Sequence, residues 1–134
     1  MKVKVWRVEH RDNGRIGMYN KEYHAFINAT EGDCDATATE KHPSPMTDDP
    51  LGFWDLGNSC EWNFGFSSLA QMRNWIYKAK WRRNLAKLDF VLACYEVDAE
   101  HFRRSNFQAI FWFDMAERIE VRDVDYADKS RVKS

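Results

Sequence analysis

Phe90-Val91-Leu92-Ala93-Cys94-Tyr95-Glu96-Val97 is apolar at nearly every position. A strand with one wet face alternates apolar and polar residues. This run keeps both faces apolar, so it predicts a central strand covered on both sides. Downstream, Asp98 to Ser105 reads as a turn or a single helical turn. Phe107-Gln108-Ala109-Ile110-Phe111-Trp112-Phe113 reads as a second two-faced strand. Ile119 to Val124 sets Ile119 and Val121 against Glu120 and Arg122, as an edge strand does. Upstream, Trp81, Leu85 and Leu88 fall at i, i+4 and i+7, which predicts a helix over Lys80 to Lys87.

Before that helix lies a firmer helix start. Ser67 or Ser68 can cap it, and Ser68 with Gln71 has capping-box spacing. Leu69, Met72 and Ile76 form its apolar stripe, with Trp75 beside them. Asn63 to Phe66 reads as a short strand leading into it. At the N-terminal end, Lys2 to Glu9 reads as a strand with Val3 and Val5 on one face and Trp6 and Val8 on the other. Asp12-Asn13-Gly14-Arg15 predicts a turn. Asn20 can cap a short helix through about Asn28, with Tyr23, Phe26 and Ile27 as its apolar face. Residues 30–62 show little periodicity and hold all three prolines (Pro43, Pro45, Pro50). This is a long loop, and Leu51, Phe53, Trp54 and Leu56 suggest that its second half packs down on the domain. The order of elements predicts a single α+β domain over residues 1–126, with a mostly antiparallel sheet, two to three short helices and a long acidic loop. Residues 127–134 read as a polar tail.

Composition narrows the function classes. A length of 134 residues fits one domain, and 44% hydrophobic residues suffice for a core. The net charge of −1 provides no overall field for a nucleic acid. No run of about 18 apolar residues occurs, so no membrane span is expected. The charged N-terminus is not expected to be a signal peptide. Three cysteines (Cys34, Cys60, Cys94), odd in number and widely spaced, point to reduced thiols and a cytoplasmic setting in the cell that makes the protein. Neither these cysteines nor His10, His24, His42 and His101 have metal-ligand spacing, so no metal is expected.

Charge is uneven along the chain. Glu31, Asp33, Asp35, Glu40, Asp48, Asp49 and Asp55 face a single Lys41 in the long loop. Lys78, Lys80, Arg82, Arg83 and Lys87 form a basic segment without an acid. These are two solvated surfaces, complementary to each other, or else partner-binding surfaces. The Lys80-Trp81-Arg82-Arg83 segment also suits contact with single-stranded nucleic acid, by phosphate pairing and stacking.

Three aromatic-rich stretches carry a polar residue in an apolar run. Arg7 sits within Val5-Trp6-Arg7-Val8-Glu9, and either snorkels to solvent, pairs with Glu9 or Glu96, or acts as an anion clamp. Phe64-Gly65-Phe66-Ser67-Ser68 brings aromatics to a helix start, where the serines cap the helix or help hold an anion. Gln108 must find hydrogen bonds if buried, in a cleft or at a strand end. Glu9 and His10, near the end of the first strand, are further site candidates.

In this order the three stretches resemble the layout of ADP-ribosyltransferase-like folds. Val5-Trp6-Arg7-Val8-Glu9 resembles the strand whose Arg or His holds NAD. Phe64-Gly65-Phe66-Ser67-Ser68 resembles the aromatic and Ser-containing strand that enters a helix. Gln108-Ala109-Ile110-Phe111 resembles the late strand of the catalytic Glu. The resemblance implies NAD as cofactor, with Arg7 on the pyrophosphate, Phe64 and Phe66 around the nicotinamide, Ser67 at the ribose, and Gln108 nearby. Ile110 stands where that family has its Glu. Glu96, Asp114 and Glu117 are therefore the candidate acids, unless the scaffold binds without catalysis. Trp6-Arg7-Val8-Glu9-His10 and the later Phe64-Gly65-Phe66-x-Ser68-Leu69-x-Gln71 also resemble small phage proteins. This implies an accessory role in infection, exerted on a host or defence-system protein by NAD-dependent modification or by binding. An anti-defence inhibitor working through the acidic loop is the alternative, and a single-stranded nucleic-acid binder is a third.

Overall fold

A computed structural model describes residues 1–20, 22–33, 42–44, 48, 51–52 and 62–125. The strand that anchors the reading, β4 (Phe90–Asp98), is buried at all positions except Glu96 and Asp98. It pairs antiparallel with β1 (Lys2–His10) on one side and with β7 (Glu117–Asp123) on the other. β2 (Asn13–Gly17) completes a four-stranded sheet in the order β2-β1-β4-β7. A second antiparallel sheet, β3-β6-β5, consists of β3 (Trp62–Gly65), β5 (Phe102–Arg104) and β6 (Ala109–Trp112). The α+β class expected from the sequence is thus the architecture.

The two sheets meet at Trp6 and Phe66. β2 pairs with β1 only at Glu9 and His10, which leaves the earlier edge of β1 open. Phe66 fills part of it: its N–H donates to the Trp6 carbonyl at 2.6 Å, and its carbonyl accepts from the Trp6 N–H at 2.8 Å. Gly65 permits this approach, since a Cβ there would stand 2.7 Å from the Trp6 carbonyl oxygen.

The alternating faces of β1 and β4 face different layers. Val8, Phe90 and Leu92 pack with α1 (Ala25–Thr30), α2 (Leu69–Trp75) and α3 (Ala79–Lys87) through Phe26, Met72, Trp75, Trp81 and Leu85. Val5, Ala93, Tyr95 and Val97 pack against Ala109 and Phe111 of the second sheet. Period-two alternation therefore places Arg7 and Glu9 on the face that the second sheet covers.

The capping box forms in altered shape. Ser68 Oγ accepts from the Gln71 N–H at 3.1 Å, as expected. The Gln71 side chain reaches back one residue further, accepting from the Ser67 N–H at 2.9 Å. Asp89 takes a left-handed conformation (φ 65°) and turns the chain from α3 into β4.

Several expectations need correction. The turn expected at residues 12–15 is largely strand, because Asn13–Gly17 pairs back onto β1. Asn20 does not cap α1. It caps the preceding turn through the Glu22 N–H, and the helix starts later, at Ala25. Of its expected apolar face only Phe26 is buried, while Tyr23 and Ile27 are exposed and Ala25 and Ala29 take the inner positions. Leu88 lies past the end of α3 and is exposed, so the helix buries only Trp81 and Leu85 of the expected three. Residues 98–105 contain a 3-10 turn and then β5, a strand too short to show a period. β6 is shorter than expected, and Phe107 lies outside it in a turn. In the long loop, Leu51 is fully buried. Phe53, Trp54 and Leu56 lie outside the described residues, as does the tail. Among the described residues no helix is long and apolar enough to cross a membrane.

Candidate functional site

Arg7 and Glu9 are two residues apart on one strand, so their side chains share a face. Both are buried there, and Arg7 is only 4% exposed. The Arg7 guanidinium donates to the carbonyls of Gly14 (3.1 Å), Phe64 (2.7 Å) and Arg15 (3.3 Å). Its Nε also lies 3.5 Å from Glu9 Oε1. Of the partners considered from sequence, Glu9 is the one it takes. Tyr95, across the strand pair, donates its hydroxyl to the Glu9 carboxylate, with oxygen separations of 2.6 and 2.8 Å. Arg118 of β7 completes the group at 3.2 Å from Glu9 Oε2.

Burial pushes the Glu9 carboxyl above the ordinary carboxylate range, although the Tyr95 hydroxyl and the two arginines pull the other way. Burial also raises the Tyr95 phenol, and the adjoining Glu9 carboxylate adds to the effect. Gly14 closes the group from above. A Cβ there would stand 2.7 Å from Glu9 Oε2 and 2.8 Å from the Tyr95 hydroxyl. A guanidinium so placed braces the hairpin β1–β2 and the second sheet; its donors point at protein carbonyls.

Phe66 is fully buried, and Phe64 is partly buried within a ring cluster with Phe66, Trp75 and Tyr19. These two aromatics fill core space. Trp75 donates its indole N–H to the Tyr19 hydroxyl at 2.7 Å, and burial raises the Tyr19 phenol. Ser67 serves the helix start through its backbone N–H.

Gln108 is fully buried. Its amide donates to the Pro43 carbonyl at 2.8 Å and to Asp48 Oδ2 at 2.9 Å. The Ser105 hydroxyl donates to the same Asp48 oxygen, and Ser105 in turn ties the turn 105–108 together by accepting from the N–H groups of Phe107 and Gln108. Gln71 of α2 donates to the Ser105 carbonyl at 2.7 Å. Arg103 holds the carbonyls of Leu51 and Gly52, each at 3.2 Å. Gln108 therefore fastens the long loop to the second sheet. No sequence spacing signals this, since Asp48 and Gln108 are 60 residues apart.

Of the candidate acids, two face each other across a strand pair and the third is ion-paired. Glu96 stands opposite Glu117 on β4 and β7. Asp114 pairs with Arg15, whose guanidinium also lies over the Phe113 ring at 5.3 Å. Neither of two surface clefts is lined by Arg7, Phe64, Phe66, Ser67, Gln108 or these acids. His10 meets the Tyr23 ring at a tilt and the Phe90 ring edge-on, apart from the Glu9 carboxylate's partners.

Among the described residues two ion pairs join the acidic and basic segments. Lys78 pairs with Asp33 and Lys80 with Glu31, around a cleft of about 400 Å³ that Trp81 and Thr30 also line. Asp48 is buried beneath Ser105 and Gln108. Asp35, Glu40, Asp49 and Asp55 lie outside the described residues. In the basic segment Trp81 is 2% exposed and belongs to the core, and Arg82 is buried with a bond to the Ile76 carbonyl. That segment thus has no open ring for a base to stack on. Asp98, Glu100 and His101 bring three potential ligand atoms within 4.8 Å of one another, but Lys2 already pairs with Asp98. Cys94 is a buried free thiol, and Cys34 and Cys60 lie outside the described residues.

A second cleft, of about 350 Å³, lies between the end of α2 and the turn 105–108. Asn74, Trp75, Tyr77, Asn106 and Phe107 line it. The family model described as Bacteriophage T4 Y00F protein matches residues 1–125 of the chain. No curated protein and no solved structure matches it.

Proposed function

The chain belongs to the bacteriophage T4 Y00F protein family, and from that premise we propose that this phage protein acts in the infected cell by binding a host protein, not by modifying it. The observation that carries the proposal is the engagement of Arg7. Its donors are taken by three backbone carbonyls and Glu9, at 4% exposure. To hold a pyrophosphate, Arg7 would have to abandon a buried carboxylate, which costs several kcal/mol. Gln108 is likewise committed to Pro43 and Asp48. The residues that an NAD-dependent reaction would need are thus parts of the frame. A frame this fixed is suited to presenting a surface.

The test combines two measurements on the full chain. Affinity-tagged protein expressed in host cells is crosslinked and purified, and a host protein is expected at near-stoichiometric yield. Calorimetry with NAD, and intact-mass analysis of host proteins incubated with the protein and NAD, are expected to show neither binding heat nor an added ADP-ribosyl group. An added ADP-ribosyl mass would overturn the reading in favour of chemistry, and the absence of any crosslinked host protein would overturn it outright.

A further inference from the structure

β7 carries one residue more than its ladder on β4 uses. Leu92, Ala93 and Cys94 face Arg122, Val121 and Glu120 in regular order, and then Tyr95 faces Arg118, so Ile119 is passed over. The residue left out is apolar and 43% exposed. Beyond it Glu96 faces Glu117, with Lys4 on the far side of Glu96. Like charges directly opposite each other weaken a sheet. Neither feature accounts for the bulge.

A second register is available to the same residues. Sliding the segment before Glu120 by one position removes the bulge. Ile119 then stands opposite Tyr95, on the face where the Tyr95 ring meets Phe111 and Phe113. Arg118 stands opposite Glu96, which replaces a like-charge pair with an unlike one. The cost is that Glu117 moves opposite Val97, on the face where Ala116 now packs. The chain can take up the shift in the 3-10 turn Phe113–Met115, where Asp114 and Met115 are exposed.

What the bulge gains is the bond from Arg118 to Glu9 Oε2, at 3.2 Å. Around that carboxylate β1 brings Arg7, with Nε at 3.5 Å, and β4 brings the Tyr95 hydroxyl, at 2.6 and 2.8 Å. β2 brings Gly14, while its Arg15 side chain pairs with Asp114. From beyond β6 the Phe113 ring lies 5.9 Å from the Arg7 guanidinium and does not titrate. Arg7 also holds three backbone carbonyls, whereas among the described residues Glu9 is the one partner of Arg118. A neutral Glu9 keeps its bond with Tyr95 but loses the charge that draws Arg118. Burial already favours the neutral carboxyl.

We propose that β7 has two registers on β4 and that the charge on Glu9 selects between them. Ionised Glu9 holds the bulged register through Arg118. Neutral Glu9 releases Arg118 to Glu96 and lets the strand pair regularly. The switch reaches the rim of the sheet, because a bulge is one of the devices that spoil an edge as a template for another strand.

NMR on the intact, isotope-labelled protein reads the register directly. In the wild type at neutral pH, backbone proton contacts are expected to place Arg118 opposite Tyr95. Glu9→Gln at the same pH removes this one charge and keeps the side-chain volume. It is expected to place Ile119 opposite Tyr95 and Arg118 opposite Glu96, with the Ile119 methyl signals displaced by the Tyr95 ring. Acidifying the wild type is expected to bring in the same signals, half-complete at a pH above about 4.3, the ordinary Glu value. Arg118→Gln changes a side chain that is 44% exposed, so it serves even where Glu9→Gln does not fold. It is expected to take the regular register at neutral pH. Residue 118 remaining opposite Tyr95 in either folded variant would show that the backbone alone sets the bulge, and would overturn the proposal. Loss of the β7 contacts without new ones would mean fraying in place of a second register, and would overturn it as well. So would a wild type that keeps the bulged register until acid unfolds it.

Discussion

Arg118 reaches Glu9 because β7 carries one extra residue. Cys94 stands opposite Glu120 and Tyr95 opposite Arg118, so Ile119 has no partner across the strand pair. In a regular ladder Tyr95 would face Ile119, and Arg118 would fall on the opposite face. The bulge brings the guanidinium round to the Tyr95 side, 3.2 Å from the buried Glu9 carboxylate. The same bulge, with Glu117, Glu120 and Arg122 along the strand, also makes the outer edge of the sheet a poor template for another strand.

The two arginines at Glu9 differ in burial, so their removal should differ in cost. Arg7→Met leaves Glu9 without its enclosed partner and strands three carbonyls, and is expected to destabilise the fold by about 3–5 kcal/mol. Arg118 is 44% exposed on its side chain, so water replaces much of what it gives. Arg118→Met is expected to cost about 1 kcal/mol or less. Urea denaturation of both variants measures the difference, and equal losses would refute the ranking by burial.

Glu9 leaves a signature in the pH dependence of stability. Its folded-state affinity for a proton is raised, mainly by burial. The native state therefore holds this proton at pH values where the unfolded chain has released it. The contribution is fully present below the unfolded carboxyl range and is lost as pH rises toward the raised native value. Glu9→Gln removes this titration. The stability of the wild type minus that of Glu9→Gln is expected to fall as pH rises above about 4.3, the ordinary Glu value, and then to level off. A difference that rises with pH would show that the arginines and Tyr95 outweigh burial.

Gly14 is required by contact. With a Cβ 2.7 Å from Glu9 Oε2, Gly14→Ala must push the carboxylate against Tyr95 and Arg7. The expected loss is about 1–3 kcal/mol. Thermal unfolding tests it, and Gly14→Ala together with Glu9→Ala should lose less than the sum of the two single changes.

Asp48 and Gln108 should behave as one unit. Either Asp48→Ala or Gln108→Ala breaks the same clasp, so the double change is expected to cost clearly less than the sum, with a coupling of about 0.5–3 kcal/mol. Limited proteolysis is expected to cut the segment 42–52 faster in each single variant. Unchanged cutting would show that Arg103 alone retains the loop.

The helix start at Ser68 is the simplest case. Ser68→Ala removes the acceptor for the Gln71 N–H and is expected to cost about 1 kcal/mol. Denaturant unfolding measures it. A cost near zero would mean that the Gln71 side chain carries the cap alone.

The sequence by itself determined the class of the fold. The two-faced run from Phe90 determined a central strand, the alternation at Ile119 and Val121 an edge strand, and the Ser68–Gln71 spacing a helix start. Each is a local pattern whose period or offset is set by backbone geometry. It also singled out Arg7 and Gln108, because a polar group in an apolar run needs a partner. Only the tertiary structure decided what those partners are. Arg7 is held by carbonyls from β2 and β3, and the Gln108 NH2 group by Pro43 and Asp48, some 60 residues away. β5 escaped notice because three residues show no period, and the bulge at Ile119 because register is a property of two strands. The cleft at Phe107 escaped notice for a related reason. Its lining comes from the end of a helix and from a turn about 30 residues further on, and nothing along the chain records that the fold brings the two together.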